Sequence, residues 1–429
     1  MGQQLPLLDA EPAAALANSS TFVPNMRLPV HGWFRYSAGF SAAWAREVIE
    51  EAKEASGAEH VLDPFSGSGT VALVAERCGI EGIGLEAHPF VGRIAETKLC
   101  WRADPTALRE HAALVLARSL TEKPDTSAYP ALIQKCFPPA TLASLDQLRR
   151  SHEALDDGSD VARLSWLAIV AILRACSPVG TAQWQYVLPN KNKARSADPF
   201  EAFATTTAAM SRDMRERQAF PPGPPARLLV GDARTCGEIP DDWADLVITS
   251  PPYANNYDYA DATRLEMSFF GQVRGWGDLH DTVRQHLIRS CSQHAGRLRD
   301  EVVENLIESE RIRPIRDDLR AVYERLRVER ESHGGKKAYH NMIVAYFADL
   351  ADVWFSLRRV TRRGGIANFV IGDSAPYGIY VPVEQWLARL ALEAGFCSYD
   401  FVKLRDRNTK WRNRKHTVPL HEGILRVTA

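Results

Sequence analysis

The sequence predicts an α/β fold, a Rossmann-like and mostly parallel sheet interrupted by two largely helical insertions. Three observations predict it. A strand, a glycine-rich turn and a helix follow one another over 59–79, which is how a doubly wound sheet opens. Short apolar runs ending in an acid or a proline recur at 81–86, 227–232 and 245–252, as strands buried on both faces do. Between them, 106–225 and 275–338 read as helix, with no strand signal.

The chain has 429 residues, more than one ordinary core, so two or three structural units are expected. With 45% hydrophobic and 24% charged residues it has the composition of a soluble globular protein. A net charge of -1 argues against nonspecific coating of nucleic acid and confines any such surface to a local patch. No apolar run approaches bilayer-spanning length, so no membrane partner is expected. Residues 1–20 are acidic and alanine-rich, with no basic segment before an apolar one; they read as a flexible leader on a cytoplasmic protein. The seven cysteines are scattered, without a Cys-x-x-Cys pair or a histidine at zinc spacing. They read as reduced core thiols, and no metal is expected.

The first core part, 21–105, opens on the aromatic cluster Trp33-Phe34-Arg35-Tyr36, followed by Ser41 as N-cap of a helix to about 56. Val61-Leu62-Asp63 is the first strand, and Pro64-Phe65-Ser66-Gly67-Ser68-Gly69-Thr70 the turn into the next helix. Gly67 and Gly69 permit a tight turn and close approach of backbone to a ligand. No lysine is placed to meet phosphates, so this is not a P-loop. Ala72 stands where a dinucleotide fingerprint has its third glycine, which leaves that reading open as a second. Asp63 would repel a pyrophosphate, however, and suits a cation. Glu86 ends the second strand, where an acid can accept from ribose hydroxyls.

The insertion 106–225 contains a strongly apolar helix at 164–175. Gln183-Trp184-Gln185-Tyr186 then leads to a basic turn with Lys191 and Lys193, a mixture that suits phosphate contact and stacking, or simply an exposed loop. Core part 226–274 carries a third strand ending at Asp232 and a fourth ending in Ser250-Pro251-Pro252-Tyr253. Prolines stop that strand and stiffen its exit. The Ser250 hydroxyl and nearby carbonyls can then hold an exocyclic amine while the Tyr253 ring stacks on a planar base. Segment 275–338 reads as a charged, solvated helical pair. The last core part, 339–429, holds a long amphipathic helix at 341–360, a strand at 366–371, and two antiparallel strands at 395–402 and 422–427. Between those two lies the most basic stretch of the chain, with Arg407, Lys410, Trp411, Arg412 and Arg414, read as a nucleic-acid clamp or an edge-protecting loop.

Asp-Pro-Phe-x-Gly-Ser-Gly-Thr together with Ser-Pro-Pro-Tyr closely resembles the amino-group DNA methyltransferases, which act on cytosine N4 or adenine N6. The resemblance covers the core in short blocks and neither insertion. It implies an S-adenosylmethionine-dependent methyltransferase sheet, with S-adenosyl-L-methionine bound by Trp33, Phe34, Asp63, Phe65, Gly67, Gly69, Thr70, Glu86 and Asp232. Asp63 would meet the cofactor ammonium and Asp232 the adenine amino group. It implies catalysis by Ser250, Pro251, Pro252 and Tyr253, with double-stranded DNA and a flipped target base as substrate and a cognate restriction endonuclease as partner. The Ser-Pro-Pro-Tyr form points to cytosine N4, beside adenine N6, an RNA base, or a noncatalytic binding module. The chain has no Pro-Cys dipeptide, which argues against the covalent route to cytosine C5. Two features depart from the family: many cytosine-N4 enzymes place the catalytic motif before the cofactor motif, and 106–225 is a less usual place for target recognition.

Overall fold

The computed structural model describes residues 21–36, 38–181, 187–193, 195–296, 298–335, 337–407 and 418–429. Seven strands form the central sheet: β1 (His60–Asp63), β2 (Glu81–Glu86), β5 (Arg227–Val230), β6 (Ala244–Thr249), β7 (Thr361–Gly372), β8 (Ser398–Arg407) and β9 (Leu420–Thr428). Their order is β5-β2-β1-β6-β7-β9-β8. The first five run parallel, while β9 is antiparallel to both β7 and β8. Strand order reverses between β1 and β6, and a sheet wound this way opens a crevice at the carboxyl ends of those two strands.

Alternation along the strands makes this a three-layer molecule. Val61, Leu246 and Ile248 face the helix Ala42–Ser56. Leu62, Val247 and Phe369 face the helix Tyr339–Val360 on the other side. Ser41 caps Ala42–Ser56 as expected, its hydroxyl accepting from Trp44 N at 3.4 Å, and Gly57 ends it at φ 67°. Tyr339–Val360 is buried along nearly its whole length.

The insertion after β2 packs Pro105–Ser119, Pro139–Leu155, Asp160–Cys176 and Pro199–Gln218 into a second core, shared with Trp33, Phe90, Leu265 and Phe269 from outside it. Within this largely helical insertion, as expected of it, one part carries strands that the sequence did not signal: β3 (Val179–Thr181) and β4 (Val187–Asn192) pair as an antiparallel hairpin. The second insertion also differs from the solvated pair expected of it. Val303, Ile307, Ile312, Ile315, Leu319 and Leu326 are buried in the same core as Tyr339–Val360, and the charges occupy the outer faces. Among the described residues no helix is long and apolar enough to cross a membrane.

Candidate active site

Three strand ends meet at the crevice. The glycine turn leaves β1, Glu86 closes β2, and Ser250 leaves β6. Gly67 and Gly69 have φ of 52° and 86°, the left-handed region that an L side chain rarely adopts. A Cβ on Gly67 would come within 2.8 Å of the Tyr36 ring. Glu86 fastens the turn: one carboxylate oxygen accepts from Gly67 N at 2.7 Å and the other from His88 N at 2.8 Å.

A cavity of about 50 Å³ lies in this crevice. Phe65, Gly67, Glu86, Asp232, Ser250 and Pro252 all line it, so the glycine turn and the Pro-Pro corner face the same space. Asp63, Gly69, Thr70, Pro251 and Tyr253 do not line the cavity. Asp63 joins its two halves: Oδ1 accepts from Phe65 N at 3.1 Å and from Thr249 Oγ1 at 2.6 Å. Its Oδ2 is buried with no hydrogen-bond partner among the described residues. Burial pushes the carboxyls of Asp63 and Glu86 up to about 7, against the hydrogen bonds that favour their charged forms. Burial likewise lowers His88, another lining residue, to about 4, so it is neutral near pH 7.

Ser250 Oγ donates to Val370 O at 3.1 Å, tying the end of β6 to β7. That fixes the proton and leaves the oxygen lone pairs as acceptors. The Arg407 guanidinium lies over the Tyr253 ring at 5.0 Å and donates to Asp373 O at 2.9 Å. Gly372 makes this stack fit, since a Cβ there would strike Arg407 Nη1 and come within 3.1 Å of the ring. Arg407, in the stretch read as a nucleic-acid clamp or an edge-protecting loop, thus lies against the tyrosine of the Ser-Pro-Pro-Tyr motif. Asp232 reaches the cavity, but its carboxylate is held by Arg234, with Nη2 2.7 Å from Oδ2.

The aromatic cluster before the first strand divides differently from the expectation. Tyr36 lines the cavity, whereas Trp33 and Phe34 line a separate cleft of about 640 Å³ together with Arg35, Arg174 and Lys193. Trp33 Nε1 donates there to Asp213 Oδ2 at 2.9 Å. Lys193 donates to Arg174 O at 2.6 Å, and Lys191 is exposed on β4. Trp184, Lys410, Trp411, Arg412 and Arg414 lie outside the described residues. Residues the sequence reading missed at the cavity include Tyr36, Tyr259, His286 and Ile288. Tyr36 belongs to the aromatic cluster read above, whereas His286 and Ile288 carried no signal.

A mostly parallel seven-stranded sheet of this order, with its pocket at the carboxyl edge, has the methyltransferase fold. No family model matches the chain. It is similar to Type II methyltransferase M.BsoBI of Geobacillus stearothermophilus, 24% identical over 421 residues, covering 90% of this chain and 82% of that one. It is also similar to Type II methyltransferase M.AvaI of Nostoc sp. and of Anabaena variabilis, each 27% identical over 406 residues, covering 88% of this chain and 81% of theirs. The chain is thus a distant homologue of type II methyltransferases over most of its length, insertions included.

Proposed function

We propose that this protein is an S-adenosylmethionine-dependent DNA methyltransferase acting on an exocyclic base amine, cytosine N4, in a defined DNA sequence. The observation that carries the reading is the single cavity shared by the glycine turn and the Ser-Pro-Pro corner. The residues fit the cofactor: Gly67 presents backbone without a side chain, Glu86 stands where ribose hydroxyls would bind, and the unpartnered Asp63 Oδ2 suits a cationic group. The bound cofactor supplies an activated sulfonium methyl group.

The rest falls to the chain. Ser250 Oγ, its proton committed to Val370 O, accepts from the amine of a flipped base, and the Ser250 and Pro251 carbonyls complete the grip. This turns the nitrogen lone pair toward the methyl donor, and most of the acceleration is positional. No residue forms a covalent intermediate. Tyr253, braced by Arg407, offers the stacking ring. Insertion 106–225 serves target recognition, with Lys191, Lys193 and the basic stretch through 414 meeting the phosphates. A cognate restriction endonuclease fits the type II relatives.

Incubation with DNA and the cofactor, followed by digestion and mass analysis of nucleosides, tests this. N4-methylcytosine is the expected product; N6-methyladenine would reassign the base, and no modified base on any DNA would overturn the reading.

A further inference from the structure

We propose that Asp258, Cys291 and His294 form a binding site for a zinc-like divalent cation that pins the catalytic-motif loop. The three side chains are buried, at 3%, 5% and 8% exposure, and their ligand atoms all lie within 4.8 Å of one another. Asp258 comes from the loop after Tyr253. Cys291 and His294 lie three residues apart at the short helix Ser292–Ala295, on one face. Carboxylate, thiolate and imidazole together make a donor set that suits zinc, with a fourth position for water.

Two geometric facts separate this from an ordinary histidine–aspartate pair. His294 Nδ1 donates to Ile288 O at 3.1 Å, which fixes the ring with Nε2 toward the cluster, where a cation would take the place of the Nε2 proton. A second bond of this kind is how metal-bound histidines are oriented. His294 Nε2 is buried with no partner at ordinary hydrogen-bond distance among the described residues, and it faces the nearer Asp258 oxygen as an ion pair at 3.6 Å. That exceeds the roughly 2.7–3.2 Å of an N–H···O bond. It matches the edge of about 3.4 Å between nitrogen and oxygen in a tetrahedron with metal bonds near 2.1 Å.

Arg284 does not oppose the cation. It holds the other carboxylate oxygen, Nη2 at 2.6 Å and Nε at 2.9 Å from Oδ2. A dication that displaces one proton from an imidazolium and one from a thiol leaves the net charge of the cluster unchanged. The consequence of binding is mechanical. Asn255 N already donates to Ser290 O at 2.8 Å, and His286, Leu287 and Ile288 line the cavity. A cation here would staple the loop that leaves Tyr253 to the segment that follows the cavity-lining residues 286–288.

The test measures metal, so it is independent of methyl transfer. The full chain, purified without chelator from zinc-supplemented culture, should contain zinc equimolar with protein by elemental analysis. Cobalt added to the metal-free protein should give a thiolate-to-cobalt charge-transfer band. Cys291→Ser and His294→Ala should each remove most of the zinc and the band, whereas Cys78→Ser should retain both. Should the wild-type chain take up neither zinc nor cobalt, or should zinc persist undiminished in the doubly substituted Cys291→Ser, His294→Ala protein, the site does not exist.

Discussion

Ser250 gives the proposed chemistry its sharpest residue-level prediction. Its hydroxyl proton is engaged by Val370 O, so its contribution to amine binding is one accepted hydrogen bond. Such a bond contributes about 1 kcal/mol, or about fivefold in rate. Ser250→Ala should therefore lower kcat by about that factor and leave cofactor affinity unchanged, as read by single-turnover methylation and calorimetry. The buried acids make a second. Because burial raises Asp63 and Glu86 to about 7, the free protein keeps protons that an unfolded chain loses in the ordinary carboxylate range. Raising pH from about 4 to 7 therefore costs the free protein stability. A cationic ligand favours the ionised carboxylates, so its binding should release protons and tighten as pH rises toward 7, then level off. Titration calorimetry of S-adenosylmethionine in buffers of different ionisation heat measures this; absence of proton release would remove both acids from the cofactor site.

Among the elements, the helix Thr70–Cys78 connects the glycine turn to the insertion. Its buried Glu76 accepts from Trp101 Nε1 at 2.7 Å, Arg102 Nη2 at 3.0 Å and Ala226 N at 3.1 Å. The two ends of the insertion are therefore fastened to one carboxylate. Glu76→Ala strands a buried indole N–H and a guanidinium that is 28% exposed. The partial exposure puts the cost at the low end for breaking such a network, about 3 kcal/mol, read from the denaturant midpoint. How far the elements were legible in the sequence follows from the same physics. Val61-Leu62 and Leu246-Val247-Ile248 were readable because both faces of those strands are covered and their composition is unbroken apolar. The hairpin β3–β4 was not, since three residues pair with a polar strand ending in Asn190-Lys191-Asn192 and neither shows alternation. Within the cluster Trp33-Phe34-Arg35-Tyr36, no sequence pattern says which ring reaches the cavity; packing alone selects Tyr36. The cation cluster was half legible: Cys291-Ser292-Gln293-His294 is a Cys-x-x-His spacing, contrary to the expectation of scattered thiols without a histidine at ligand spacing, while the third member, Asp258, comes from another loop.

For the whole molecule, a net charge of -1 means that DNA affinity must come from local cations. Affinity should fall steeply with salt even so, with a slope set by the phosphates neutralised. Lys191→Ala should flatten that slope by about one unit without changing the preferred sequence; an unaltered slope would take β4 out of the interface. Adjacency in the sheet has one further effect. Since β1 and β6 are hydrogen-bonded neighbours, the turn after one and the corner after the other open on the same hollow whichever strand is synthesised first. Chains that carry the two blocks in reversed succession can therefore assemble an equivalent hollow, and a rearranged gene need preserve the neighbours rather than the sequence of exons of meaning along it.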